Sequence, residues 1–80
     1  MITPAEAKAF ISANVKRLLA ERDWPVIKLA ELTGEPQNSI YRVVRGENEP
    51  GAVLLARIAE ALNTSVDFLL SPPKKKRNSA

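Results

Sequence analysis

Residues 26–46 read VIKLAELTGEPQNSIYRVVRG, and this stretch decides the fold. Before Gly34, Leu29 and Ala30 form the inward face of a short helix predicted from about Pro25 to Thr33. After it, Ile40 and Val43 stand three apart on a helix predicted from about Pro36 to Arg45. Two helices crossing steeply through a short turn need a small residue where their backbones approach, and Ala30 supplies it. They need a turn residue free to take positive φ, which is Gly34. They also need apolar anchors to fix the angle of the second helix, which are Ile40 and Val43. With those anchors inward, Gln37, Asn38, Tyr41, Arg42 and Arg45 share the opposite face.

The punctuation extends outward from this core stretch. Pro4, Pro25, Pro36 and Pro50 each stand at or just before the start of a helical pattern, where a missing N–H costs nothing. Gly34, Gly46 and Asn63 are the matching stop signals, each able to take the left-handed conformation. The first helix is predicted from about Pro4 to Arg22. Thr3 and Glu6 stand at capping-box spacing, and Ile11, Val15, Leu18 and Arg22 form its inward stripe. A fourth helix is predicted from about Ala52 to Leu62, with Leu55, Ile58, Ala59 and Leu62 inward. A fifth short turn runs from about Val66 to Leu70, capped by Ser65. No segment alternates with period two, so the expected fold class is all-α. Residues 1–71 are expected to form one compact five-helix domain, and residues 72–80 a basic disordered tail after Pro72 and Pro73.

Composition excludes several classes of function. With neither cysteine nor histidine among its 80 residues, the chain has no thiolate, disulfide or imidazole chemistry. Ser12, Ser39 and Ser65 are scattered and lack a base, so nucleophilic catalysis is rejected and no enzyme, metal or cofactor is expected. No apolar run reaches the ~20 residues of a membrane span, and no signal-peptide core is visible, so a membrane partner is not expected. The net charge of +3 is misleading, because Lys74, Lys75, Lys76 and Arg77 supply four of the twelve basic residues. Residues 1–73 hold 8 basic and 9 acidic side chains, a net charge of −1, so affinity for an anionic partner must come from local placement.

From Asn14 to Leu70 the chain resembles the lambda-repressor-like (Cro/cI or XRE type) helix-turn-helix family. The matching pieces begin with Val15, Leu18 and Arg22 in the first helix and Leu29, Ala30 and Gly34 in the second. Ser39-Ile40-Tyr41-Arg42-Val43 and Arg45-Gly46 match in the third, followed by the loop Glu47-Asn48-Glu49-Pro50. Leu55, Ile58, Ala59, Ala61 and Leu62, then Ser65 to Leu70, complete the order without insertions. The resemblance implies a five-helix domain that binds double-stranded DNA and regulates transcription, as a repressor. Its third helix would lie in the major groove while the second crosses the backbone. It implies base contacts from Gln37, Asn38, Tyr41 and Arg42, and phosphate contacts from Val26, Lys28, Arg45 and Asn48. Gln37 and Asn38 suit adenine N6/N7, Arg42 suits guanine O6/N7, and Tyr41 suits a thymine methyl or a phosphate.

The resemblance further implies a homodimer, bacterial or phage-encoded, that is cytoplasmic and nucleoid-associated when bound. The family's alternative role is an antitoxin or other protein-binding module, with a toxin or co-regulator as partner. Two departures bear on affinity. Val26 stands where the family usually has Gln, and Glu35 and Pro36 replace an apolar residue and Ser or Thr.

Plainer readings stand beside these. Gln37, Asn38 and Arg42 read in isolation as a solvated helix face, and Tyr41 as cover for an apolar neighbour. Trp24 reads as core between the first two helices. Val26, Ile27 and Val44 read as surface hydrophobes or a partner surface. Val53, Leu54, Val66, Phe68 and Leu69 form the candidate dimer surface. Lys74 to Arg77 read as a solvated tail, a phosphate-binding arm or a nuclear localisation signal.

Overall fold

The computed structural model describes residues 2–73. Five helices follow in order: α1 (Pro4–Arg22), α2 (Val26–Thr33), α3 (Gln37–Val44), α4 (Ala52–Ala61) and α5 (Val66–Leu69), with no strand among the described residues. The expected tail beyond Pro73 lies outside the described residues.

Local chemistry sets the helix ends. The Thr3 hydroxyl accepts from the Glu6 N–H at 3.1 Å, and the Glu6 carboxylate accepts from the Thr3 N–H at 2.9 Å, so the capping box closes at both ends. Ser65 caps α5 by accepting from the Phe68 N–H at 3.0 Å. Pro25 and Pro36 stand one residue outside the helices they were expected to begin. Each keeps an extended ψ, of 161° and 146°, and serves as N-cap. Their carbonyls accept the first helical N–H bonds, from Lys28 at 3.0 Å and Ser39 at 3.1 Å. The other ends are also one residue shorter than expected. Arg45, Leu62 and Leu70 are C-caps, held by bonds to the last turn instead of continuing it.

Gly34, Gly46 and Asn63 take positive φ, as their stop-signal reading requires. Asp23, which was not anticipated, does so as well and closes α1. Its N–H donates to the Ala20 carbonyl at 3.1 Å while the Trp24 N–H donates to that of Leu19 at 3.0 Å.

One core joins the helices: Ile11, Val15 and Leu19 of α1, Leu29 and Ala30 of α2, Ile40, Val43 and Val44 of α3, Leu55, Ile58 and Ala59 of α4, with Leu62 and Leu69. Fully burying each large aliphatic side chain is worth ~1.5–3 kcal/mol. Three expectations change here. The α1 stripe continues through Leu19, while Leu18 is only partly buried and Arg22 is half-buried, because the neighbouring helices and not the 4-3-4 spacing set which side of α1 is covered. Arg22 instead donates to the Leu62 carbonyl at 2.6 Å, tying the end of α1 to the α4–α5 turn. Val44 is buried, since α1 crosses the end of α3. Leu69 is wholly buried, which removes it from the candidate dimer surface. Trp24 is partly buried and packs against the core, with Arg22 5.7 Å and Lys28 5.2 Å from its ring centroid.

Two buried polar residues fasten α1 to its neighbours. The Ser12 hydroxyl donates to the Val44 carbonyl at the end of α3. The Asn14 amide donates to the carbonyls of Phe68, Leu69 and Ser71 at 3.2, 2.9 and 2.9 Å, gathering the end of α5. α3 is thus seated between α1 and α2, with its polar face outward.

Candidate nucleic-acid interface

The outward face of α3 follows from its inward one. Ile40, Val43 and Val44 fix the roll of the helix against α1 and α2. Successive residues advance ~100°. Gln37, Asn38, Tyr41 and Arg42 are accordingly all exposed, Tyr41 retaining 38% of its residue surface. A helix of eight residues is about 12 Å long and, with side chains, 10–12 Å across, which matches the ~12 Å width of the B-DNA major groove.

The residues expected at phosphates lie on α2 and beyond the end of α3. Arg45 and Asn48 are exposed beyond the end of α3, and Lys28 is exposed on α2. Val26 is half-buried against the core, so its side chain is a packing group and only its backbone N–H could serve an anion. Neither α2 nor α3 has a side-chain cap, so the open N–H groups of their first turns remain available to an acceptor.

Two carboxylates near the face, Glu35 and Glu47, are engaged by cations. Glu35, in the turn before α3, lies 3.5 Å from Arg57 of α4, with only 27% of its side chain exposed. Glu47 lies 2.8 Å from Arg45, whose guanidinium also stands 5.9 Å from the Tyr41 ring centroid. Pairs this exposed contribute little stability. Their effect is local, since each offsets a negative charge close to an end of α3. Glu49 is exposed and carries no such pair among the described residues.

The structure therefore leaves Gln37, Asn38, Tyr41 and Arg42 exposed on α3, with Arg45 and Asn48 exposed just beyond its end and Lys28 exposed on α2. Sequence reasoning did not single out Lys8 and Lys16, which line the same concavity as Arg45. Their eight-residue spacing on α1 holds no hint of Arg45, which arrives only through the α1–α3 crossing. Among the described residues no group of acidic side chains could hold a metal ion, and no helix is long and apolar enough to cross a membrane.

A family model for helix-turn-helix domains matches residues 15–69. An HTH-type transcriptional regulator of Escherichia coli (strain K12), SutR, is 34% identical over 65 residues. The aligned region is 81% of this chain and 36% of that protein, so the chain spans little more than a third of the relative's length. No solved structure is a significant match. The matched segment runs from the middle of α1 to the end of α5 and contains the whole α2–turn–α3 unit, and on that basis the chain belongs to the helix-turn-helix family.

Proposed function

We propose that this domain is the DNA-reading module of a transcriptional regulator, and that it represses by occupying its site. The observation that carries the reading is the outward face of α3, where Gln37, Asn38, Tyr41 and Arg42 stand together on a helix whose roll is set by Ile40, Val43 and Val44. Gln37 and Asn38 offer donor and acceptor pairs suited to adenine, and Arg42 offers a fork suited to guanine O6/N7. Lys28, Arg45, Asn48 and the backbone N–H of Val26 then position the domain on phosphates without reading sequence. The relative's description as a transcriptional regulator supports the same class.

One reading helix covers few base pairs, so useful specificity calls for two copies about 34 Å apart on an inverted repeat. The C-terminal third supports such pairing through Val53, which is 67% exposed, flanked by the partly buried Leu54, Val66 and Phe68. Residues 1–71 act as the folded unit in this proposal, and its setting is the cytoplasm of a bacterium or a phage host.

Selection of bound sites from random duplex DNA tests the reading. The expected product is an inverted repeat, bound by two chains as measured by mass. Gln37→Ala and Arg42→Ala should each weaken binding to that site by ~1–3 kcal/mol and relax preference at one base position, with unchanged circular dichroism. Unaltered site preference in both variants would remove α3 from the groove. A single chain on a non-repeated site would remove the dimer.

A further inference from the structure

The stretch of α1 from Ala5 to Lys16 runs beside the end of α3, and an open groove lies between them. Lys8 and Lys16 of α1 and Arg45 at the end of α3 line it, with Ala9, Ser12 and Gly46 beneath. Tertiary contacts hold its shape. The Ser12 hydroxyl donates to the Val44 carbonyl, and Gly46 turns the chain away at φ +78° with its backbone against Ser12. A Cβ on Gly46 would stand 3.5 Å from that of Ser12, and its positive φ would be strained for any other side chain. Lys8 and Lys16 lie eight residues apart, about 12 Å along the helix, which is far enough to meet different phosphates.

Charge makes this groove distinctive. Residues 1–73 carry a net charge of −1, yet three of their 8 basic side chains meet here. No carboxylate lines the groove, and neither lysine forms an ion pair among the described residues. Glu47, the acidic neighbour, is paired with Arg45. The groove is also continuous with the outward face of α3, since Arg45 stands over the Tyr41 ring and lines the groove as well.

We propose that this groove seats the sugar-phosphate backbone of duplex DNA beyond the C-terminal end of α3, with Lys8 and Lys16 on its phosphates. The proposal rests on the reading of α3 as the major-groove helix. DNA lying along that helix meets the α1 wall next, and a lysine ammonium serves there as a point charge without base preference.

Salt dependence of binding by the full chain tests it, using the selected duplex and a scrambled duplex of the same length. In the Lys8→Ala/Lys16→Ala double variant, two lost phosphate contacts should make the log–log salt slope shallower by ~1.8. Between 50 and 200 mM salt the unaltered chain should then lose about 12-fold more affinity than the variant. Both duplexes should respond alike, and base preference should not change. Lys8→Arg/Lys16→Arg should keep the original slope. So should Arg17→Ala, which removes a cation of α1 outside the groove. An unchanged slope in the double alanine variant overturns the proposal while leaving the reading of α3 standing. An equal loss per charge in Arg17→Ala also overturns it, by reducing the effect to net charge. If the unaltered chain fails to bind either duplex, the reading of α3 fails first and the groove assignment with it.

Discussion

α1 and α3 solve the same problem by opposite means. α1 has 19 residues, a closed capping box, proline in its first turn and a left-handed residue at its end. Every one of those signals is local. α3 has 8 residues, no side-chain cap and an N-cap proline that only turns the chain into it. An isolated helix of that length is marginal in water, since helices below ~12–15 residues do not repay the cost of nucleation. It stands because Ile40, Val43 and Val44 are buried against α1 and α2, and because Ser12 of α1 holds its last turn. The difference teaches where each helix spends its side chains. α1 uses its ends and one stripe for stability. α3 leaves its first turn and a whole face uncommitted, and these are the groups the proposed DNA contact uses.

Removing the support of α3 should have the largest effect. Ile40→Ala deletes a fully buried side chain at the α2–α3 junction and should cost ~2–5 kcal/mol. In a domain this small that loss should lower the melting temperature by tens of degrees or abolish folding. A thermal melt followed by circular dichroism reads it, and a shift of only a degree or two would show that α3 does not depend on its anchors.

A smaller effect is expected where α1 grips α5. Asn14→Ala removes the amide that serves the carbonyls of Phe68, Leu69 and Ser71. The cost should be ~1–3 kcal/mol, because buried acceptors lose their partner. Hydrogen exchange should show the C-terminal turn opening ahead of α2 and α3. Uniform loss of protection would mean that Asn14 supports the whole domain equally.

The smallest effect should come from the self-contained end of α1. Thr3→Ala removes one half of the exposed capping box and should cost roughly 1 kcal/mol, lowering the melting temperature by about 4–8 °C. Base preference should be unchanged, since Thr3 does not lie on the α3 face. A loss as large as that of Ile40→Ala would contradict the division between locally and tertiarily supported helices.

The order and kind of all five helices were legible in the residues themselves. Proline restricts φ, glycine and asparagine tolerate the left-handed region, and apolar spacing marks the buried side. These are properties of a few neighbouring residues, so Pro36, Gly34, Ile40 and Val43 announce the turn and the roll of α3 without knowledge of the rest. The division of α3 into an inward apolar face and an outward polar one, with Gln37, Asn38, Tyr41 and Arg42 outward, follows from the same periodicity.

Tertiary structure alone decided what depends on which element comes to lie alongside. Val44 follows Val43 and could have faced solvent, but α1 crosses there and covers it. Leu69 lies among apolar residues that any sequence reading would offer to a partner, yet α1 and α4 bury it. Leu19 displaces Leu18 from the core because the two differ by ~100° of rotation and the packing partners set the preferred direction. Arg22 reaches the Leu62 carbonyl across forty positions of chain. Lys8 and Lys16 join Arg45 in one groove although nearly thirty residues separate Lys16 from it in sequence. Local periodicity carries no information at such separations, because it describes the direction of a side chain from its own helix axis and not the helix that will meet it.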